Sequence, residues 1–258
     1  MITTFTFPNG HTAQAIVLNE SQDNRSALHS MGLHQQRPTL VVIGGASHMT
    51  SEALSALIPI FNDVVAPLAE ELELYVVDGG TDAGVIHMMG QGRLAINGTF
   101  PLIGVAPEGK IRFPELSYPE DTDYERKELE PNHTHFALAP GDKWGNESPW
   151  IARVSTLLSG SHPSLTLLIN GGKIAFTDLL ENIKCERSAI ILEGSGRLAD
   201  NIAKFLKEPD FIFDPDIHHL LEKFPRDKLI VTHLLTPPQE LRTLLQHYLT
   251  PTILNNTR

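Results

Sequence analysis

Short apolar runs alternate with helical patterns along most of the chain. Runs of the length expected for buried strands lie at 40–43, 74–77, 102–106, 165–169, 189–192 and 229–231. Apolar residues at helical spacing predict helices over roughly 51–72, 82–94, 149–159, 174–183, 197–206 and 238–248. Strands that alternate with helices are typical of a doubly wound, mostly parallel sheet. The pattern therefore predicts a Rossmann-like α/β fold.

A few segments depart from this alternation. At the N-terminus, two β-rich runs flank Asn9-Gly10, which predicts a β-hairpin that caps the sheet or adds an edge to it. Pro59 and Pro67 lie inside the first long helix and are expected to kink or split it. Residues 110–131 are charged and contain proline, which indicates a long surface excursion. Residues 208–227 show no clear period and are expected to be irregular.

Composition limits the function classes. The 258 residues are 41% hydrophobic and 20% charged, which suits one soluble domain over 1–258. The net charge of −11 argues against nucleic acid or an anionic membrane as the main partner. A single cysteine, Cys185, excludes an intramolecular disulfide framework. We identify no bilayer-spanning stretch and no signal peptide, so we expect a cytoplasmic location and no membrane insertion. A homodimer is allowed, although no pattern marks an interface.

Glycine-rich turns follow four of the predicted strands. They are Gly44-Gly45, Gly79-Gly80-Thr81, Gly171-Gly172 and Gly194-Ser195-Gly196. In an open α/β sheet such loops meet at the carboxyl ends of the strands, where backbone amides and helix N-termini can bind a phosphate. For each loop alone, the glycine that a short turn requires is the better explanation, but four such loops in one sheet favour a ligand. Lys173 and Arg197 follow two of the turns and are either phosphate-binding groups or ordinary surface cations.

Polar residues near the strand ends give further candidates. A further short strand is predicted over 132–138. His133 and His135 are two apart on it, so both side chains should face one way, as a ligand-facing or metal-binding pair or as a solvated strand face. Asp78 ends a strand and could bind a ribose hydroxyl, hold a metal or cap the next helix.

Four stretches resemble the SLOG superfamily, within the group shared by TRPM-channel N-terminal regions and free-standing prokaryotic proteins. They cover about 38–206 and are Val77-Asp78-Gly79-Gly80-Thr81-Asp82-Ala83-Gly84-Val85, Ile103-Gly104-Val105-Ala106-Pro107-Glu108-Gly109, Glu130-Pro131-Asn132-His133-Thr134-His135-Phe136 and Leu192-Glu193-Gly194-Ser195-Gly196-Arg197-Leu198-Ala199-Asp200. The resemblance implies a Rossmann-like domain that senses a small nucleotide-derived ligand, with ADP-ribose or a relative as the leading candidate. It also implies a set of ligand contacts: Gly79, Gly80, Thr81, Gly84, Gly104, Ala106, His133, Gly194, Ser195 and Arg197.

The wider superfamily contains nucleotide phosphoribohydrolases that resemble this chain only in part. Their motif is Gly-Gly-x-Gly-Thr-x-x-Glu, whereas residues 171–178 read Gly-Gly-Lys-Ile-Ala-Phe-Thr-Asp. The second half of the motif and its catalytic glutamate are missing, which puts release of a base in doubt.

Two hypotheses follow from these residues. The first is a binding module that senses the ligand, and for this module the sequence assigns no cofactor. The second is a metal-dependent phosphoesterase or hydrolase, in which Asp78, His133 and His135 hold Mn²⁺ or Mg²⁺. Asp78 and His133 are its candidate catalytic residues, and Glu108 and Asp82 are further possible ligands near the strand ends.

Overall fold

The computed structural model describes residues 2–45, 48–114, 126–208 and 210–251. Eleven strands are named in this part of the chain. They are β1 Ile2–Thr6, β2 Thr12–Val17, β3 Thr39–Gly44, β4 Tyr75–Asp78, β5 Leu102–Pro107, β6 Ile111–Arg112, β7 Lys127–Glu128, β8 His135–Ala139, β9 Ser164–Ile169, β10 Ser188–Glu193 and β11 Leu229–His233. The α-helices are α1 Asn24–Ser30, α2 Ser51–Pro59, α3 Ala66–Glu71, α4 Gly84–Ala95, α5 Ser148–Ser159, α6 Lys173–Lys184, α7 Arg197–Lys207, α8 Pro215–Leu221 and α9 Pro238–Leu249.

Nine of these strands form one sheet, in the order β1-β2-β8-β5-β4-β3-β9-β10-β11. Every pair in it is parallel except β1 with β2, which form the N-terminal antiparallel hairpin. The predicted doubly wound, mostly parallel sheet and its hairpin are therefore confirmed. Six neighbouring strands of this sheet, β5-β4-β3-β9-β10-β11, have the order typical of Rossmann folds. In this order the direction of winding reverses between β3 and β9.

Helices cover both faces of the sheet. On one face α1, α5, α6, α7 and α8 enclose one buried apolar cluster, and on the other α2, α3, α4 and α9 enclose a second. A third cluster lies under the hairpin and contains Phe5, Phe7 and Phe136. Since both faces are covered, the central strands are apolar at nearly every position, which is why they read as unbroken hydrophobic runs.

The first long helix differs from its prediction in detail. The segment Ser51–Glu71 stays helical, but α2 and α3 are joined by a π-helical stretch, Ile60–Val65. By length and composition this segment could cross a membrane, with a mean hydropathy of 1.4, whereas no such stretch was expected from the sequence. In the fold, Leu57, Phe61 and Val64 are buried in the second cluster. The apolar face of the helix is thus used for packing against the sheet.

Two segments expected to be irregular contain structure. Part of the charged excursion, 115–125, lies outside the described residues, but its flanks form the short parallel pair β6 and β7. Within 208–227, α8 begins after Asp214, whose carboxylate accepts from the amides of Asp216 and Ile217. That helix has seven residues and buries Leu221, too little periodicity to be recognised in the sequence.

Candidate functional site

A cleft of about 470 Å³ lies where the winding of the sheet reverses. Its walls come from the carboxyl ends of β3, β4 and β9 and from the helices that follow, the position at which open α/β sheets bind ligands. Predicted ligand residues in its lining are Gly44, Gly45, Gly79, Thr81, Gly171, Gly172 and Arg197. The structure therefore brings three of the four glycine turns, and the arginine after the fourth, to one cavity.

Glycine is required at Gly44 by close packing. The residue has φ +137°, and a Cβ there would overlap the carbonyl oxygen of Ile169 on β9. The amide of Gly45 donates to that same oxygen at 3.2 Å. The ends of β3 and β9 can approach this closely only without a side chain, and this contact forms one wall of the cleft.

Two cationic side chains line the cleft at the starts of helices. Lys173 is the first residue of α6 and Arg197 the first of α7, and both are exposed. Among the described residues neither forms a salt bridge. A Cβ on Gly172 would lie 2.7 Å from Arg197 Nη2, so the guanidinium lies over the glycine turn. Gly172 also offers no side chain to cap the first amides of α6. Cations and uncapped amides together can accommodate an anion.

The fourth glycine turn has a different role. The hydroxyl of Ser195 accepts from the amide of Asn170 at 2.7 Å and donates to the carbonyl of Leu192 at 2.5 Å. The side chain of Asn170 donates to the carbonyl of Ser195 at 2.8 Å. Gly194, Ser195 and Gly196 do not line the cleft. Instead, this turn fixes the loop after β10 to the loop after β9, and so positions Arg197.

Other residues implied by the family resemblance lie away from the cleft. A Cβ on Gly104 would lie 2.5 Å from the Cα of Gly80, so these glycines allow β5 and the turn after β4 to pack against each other. Ala106 is fully buried in the cluster under the hairpin. Gly84 begins α4 and is not part of the cleft lining.

His133 lies in a buried polar network. The residue precedes β8 instead of lying on it, and its ring lies between two carboxylates. Its Nε2 is 2.8 Å from Asp78 Oδ1 and its Nδ1 is 2.9 Å from Glu130 Oε2, and all three side chains are fully buried. Burial alone would lower the pKa of His133, but the Asp78 and Glu130 carboxylates outweigh burial and raise that pKa to about 9. The network therefore holds an imidazolium between two carboxylates and connects the end of β4 to the segment between β7 and β8.

The three residues proposed to bind a metal do not converge. His135 is on β8, and its Nδ1 lies 2.7 Å from the Thr134 hydroxyl and its Nε2 3.0 Å from the carbonyl oxygen of Met31. Burial lowers the pKa of His135. Because its ring is directed to α1 while His133 joins Asp78, the expectation that both rings face one way is wrong.

A different trio has the spacing of a metal site. Ligand atoms of Asp82, His87 and Glu130 all lie within 4.8 Å of one another. However, His87 Nδ1 and Asp82 Oδ1 bind each other at 2.5 Å, and the Glu130 carboxylate accepts from the amide and side chain of Asn132 as well as from His133. The atoms that would bind a metal are thus already engaged in hydrogen bonds, and the protonated imidazole of His133 lies beside Glu130. The residues present therefore fit a divalent cation poorly.

Two acidic residues in the cleft were not predicted from the sequence. Glu147, just before α5, and Asp178, on α6, both line the cleft and are 6% and 7% exposed. Burial raises the pKa of Asp178 to about 7, and the nearby charge of Glu147 adds to the rise. Burial also raises the pKa of Glu147. The available signal was Asp178 itself, since it lies between Ala175 and Leu179 on the apolar face of a predicted helix.

Comparisons with known proteins agree with this architecture. A family model described as "SLOG in TRPM, prokaryote" matches residues 37–231. The X-ray structure of TM1055, a structural-genomics target, is similar at 15% identity and a TM-score of 0.51, over 81% of this chain and 98% of that one. The molybdenum cofactor binding protein of the phototrophic bacterium Rippkaea orientalis is similar at 12% identity and a TM-score of 0.51, over 84% of this chain and 99% of that one. Likenesses at this identity show the fold. The family match covers most of the chain, and the protein therefore belongs to the SLOG family, in its TRPM-like prokaryotic group.

Proposed function

We propose that the cleft between β3 and β9 binds a nucleotide-derived anion, with ADP-ribose or a close relative as the candidate, and that the protein acts as a sensor of this ligand. The observation that carries the proposal is the convergence of three glycine turns with Lys173 and Arg197 at the point where the winding reverses. Two cations free of salt bridges within the described residues, beside uncapped helix amides, suit phosphate groups.

The size and composition of the cleft also support this ligand class. A volume of about 470 Å³ lies within the usual range for small-molecule sites. Trp144, Ile43 and Ile174 contribute apolar surface to the same cleft. Such surface can pack against a base or sugar while the glycine turns and cations bind phosphate. A similar protein is named for binding a molybdenum cofactor, which supports the use of this fold for small ligands.

Calorimetry of the protein with ADP-ribose tests the proposal. Binding is expected, and the ligand recovered afterwards should be chemically unchanged by chromatography. Arg197→Ala should weaken binding by about 1–3 kcal/mol, because a charge-assisted hydrogen bond to phosphate is lost. Unchanged affinity in that variant would remove Arg197 from the site.

The same experiment with added Mn²⁺ or Mg²⁺ decides the alternative of a metal-dependent phosphoesterase. That alternative requires new products that form only with metal and disappear in His133→Ala. The buried ion network of His133 and the satisfied donors of Asp82, His87 and Glu130 do not favour it. Intact ligand after long incubation with both metals would count against the alternative.

A further inference from the structure

Two carboxyl groups share the cleft with the glycine turns and the cations. Glu147 precedes α5 and Asp178 lies between one and two turns into α6, and both belong to the lining although each is more than nine-tenths buried. Acidic groups are unexpected in a cleft that binds phosphate, because like charges repel. Their presence favours a ligand that has a part that is not anionic.

Asp178 has an unsatisfied polar atom. Within the described part of the chain its Oδ1 is buried without a hydrogen-bond partner, and so is the Oγ of Ser148. The Ser148 hydroxyl lies close enough to oppose the rise in the pKa of Asp178, but it does not meet the geometry of a hydrogen bond. In contrast, Glu147 Oε2 accepts from the amide of Gly145 at 2.7 Å. Since buried polar atoms in folded proteins are nearly always paired, a carboxyl that belongs to the cleft lining and lacks this partner points to a ligand group that completes its hydrogen bonding.

The charged groups around Asp178 define the chemistry of that ligand group. Glu147 faces it from the start of α5, while Lys173 and Arg197 line the same cleft from α6 and α7. A second phosphate beside the two carboxyl groups would be repelled. An uncharged hydroxyl can donate to an ionised carboxylate and accept from a protonated one, so it suits an acid that titrates near neutral pH.

We propose that Asp178, with Glu147, binds neutral sugar hydroxyls of the ligand, so that the cleft selects a sugar phosphate with free hydroxyl groups over a simple polyphosphate. This inference rests on the proposed function and adds a sugar-binding part to the cleft that binds phosphate. Phosphate binds at Lys173, Arg197 and the glycine turns, and the sugar lies against the acid pair.

The test compares two ligands by calorimetry, ADP-ribose and inorganic pyrophosphate, on two variants of one residue. Asp178→Leu removes both donor and acceptor at similar volume, and it should weaken ADP-ribose binding about tenfold. Its affinity for pyrophosphate should change by less than about threefold, because no sugar is present. Asp178→Asn retains hydrogen-bonding capacity and should restore most of the ADP-ribose affinity. Thermal unfolding of each variant checks that the fold is retained.

Specific results would overturn the inference. Undiminished ADP-ribose binding in Asp178→Leu, or equal losses for both ligands, would show that the acid pair does not contact a sugar. Binding of Mg²⁺ alone that disappears in Asp178→Asn would make the pair a cation site instead. If neither ligand binds the unaltered protein, the proposed function fails and this inference fails with it.

Discussion

At the scale of single residues, this protein places ionisable groups where water is excluded. His133 is fully buried between Asp78 and Glu130, and Asp178 is buried in the wall of the cleft. The two cases have opposite consequences for stability, because the histidine gains partners of opposite charge while the aspartate does not. They therefore give separate predictions.

His133→Gln should be strongly destabilising in acid and neutral solution. The folded-state pKa of His133 is about 9, above the unfolded value of about 6.5, so its contribution is fully present below the unfolded value and is lost as the pH rises through about 9. The expected loss is about 3 kcal/mol near pH 6 and much less near pH 9.5, because the variant leaves two buried carboxylates without their cation. Urea unfolding across this range measures it. Replacing the exposed His87 by Gln is the control, with a loss of less than about 1 kcal/mol expected. A penalty for His133→Gln that is constant with pH would contradict the charged network.

Asp178→Asn should stabilise the free protein in alkaline solution. The folded-state pKa of about 7 lies above the ordinary value of 3.8, so burial of this carboxyl destabilises the fold increasingly as the pH rises from the unfolded to the folded value. Above pH about 8 the variant should therefore be more stable by about 1–3 kcal/mol, and the difference should vanish near pH 4. If the variant and the unaltered protein had equal free energies of unfolding both near pH 4 and above pH about 8, Asp178 would not be desolvated in solution.

At the scale of elements, the loops after β9 and β10 act as one unit. Ser195 and Asn170 exchange hydrogen bonds through both side chain and backbone, and the first amides of α7 donate to the carbonyls of Asn170 and Gly171. These hydrogen bonds form a joint between the loop after β9 and the loop after β10, and the position of Arg197 over Gly172 depends on this joint. Ser195, which does not line the cleft, can therefore influence the position of Arg197, which does.

Ser195→Ala tests this joint. The variant leaves the buried amide of Asn170 without its acceptor, so we expect a loss of about 1–2 kcal/mol in the free energy of unfolding. ADP-ribose binding should also weaken, because Arg197 is less firmly positioned. Chemical denaturation and calorimetry measure the two effects. Reduced stability with full affinity would mean that the joint does not position Arg197.

The strands and most helices could be predicted from the sequence because burial on both faces of the sheet produces unbroken apolar runs, as in β3 and β10. The short α8 and the π-helical turn after Pro59 could not, since each depends on local hydrogen bonds that leave little periodicity. The glycine turns lie at the edge of the sheet where the cleft is found. Their separate roles could not be predicted, because a glycine needed for backbone packing, such as Gly104, looks the same in the sequence as one that lines a cleft.

At the scale of the whole molecule, the cleft is a consequence of topology. The chain winds outward from β3 in one direction and from β9 in the other, so the loops that follow these strands separate and leave a crevice. The helices on both faces bury the sheet, and the crevice remains as the place where glycine backbone, cations and acidic side chains meet. The proposed function depends on this crevice being the binding site.

The most direct test compares two lysines on the same helix. Lys173 begins α6 in the cleft, whereas Lys184 ends the same helix in an exposed pair with Glu181. Calorimetry with ADP-ribose should show that Lys173→Ala weakens binding about tenfold while Lys184→Ala leaves it within about twofold. Equal affinities in the two variants would contradict binding at the cleft between β3 and β9.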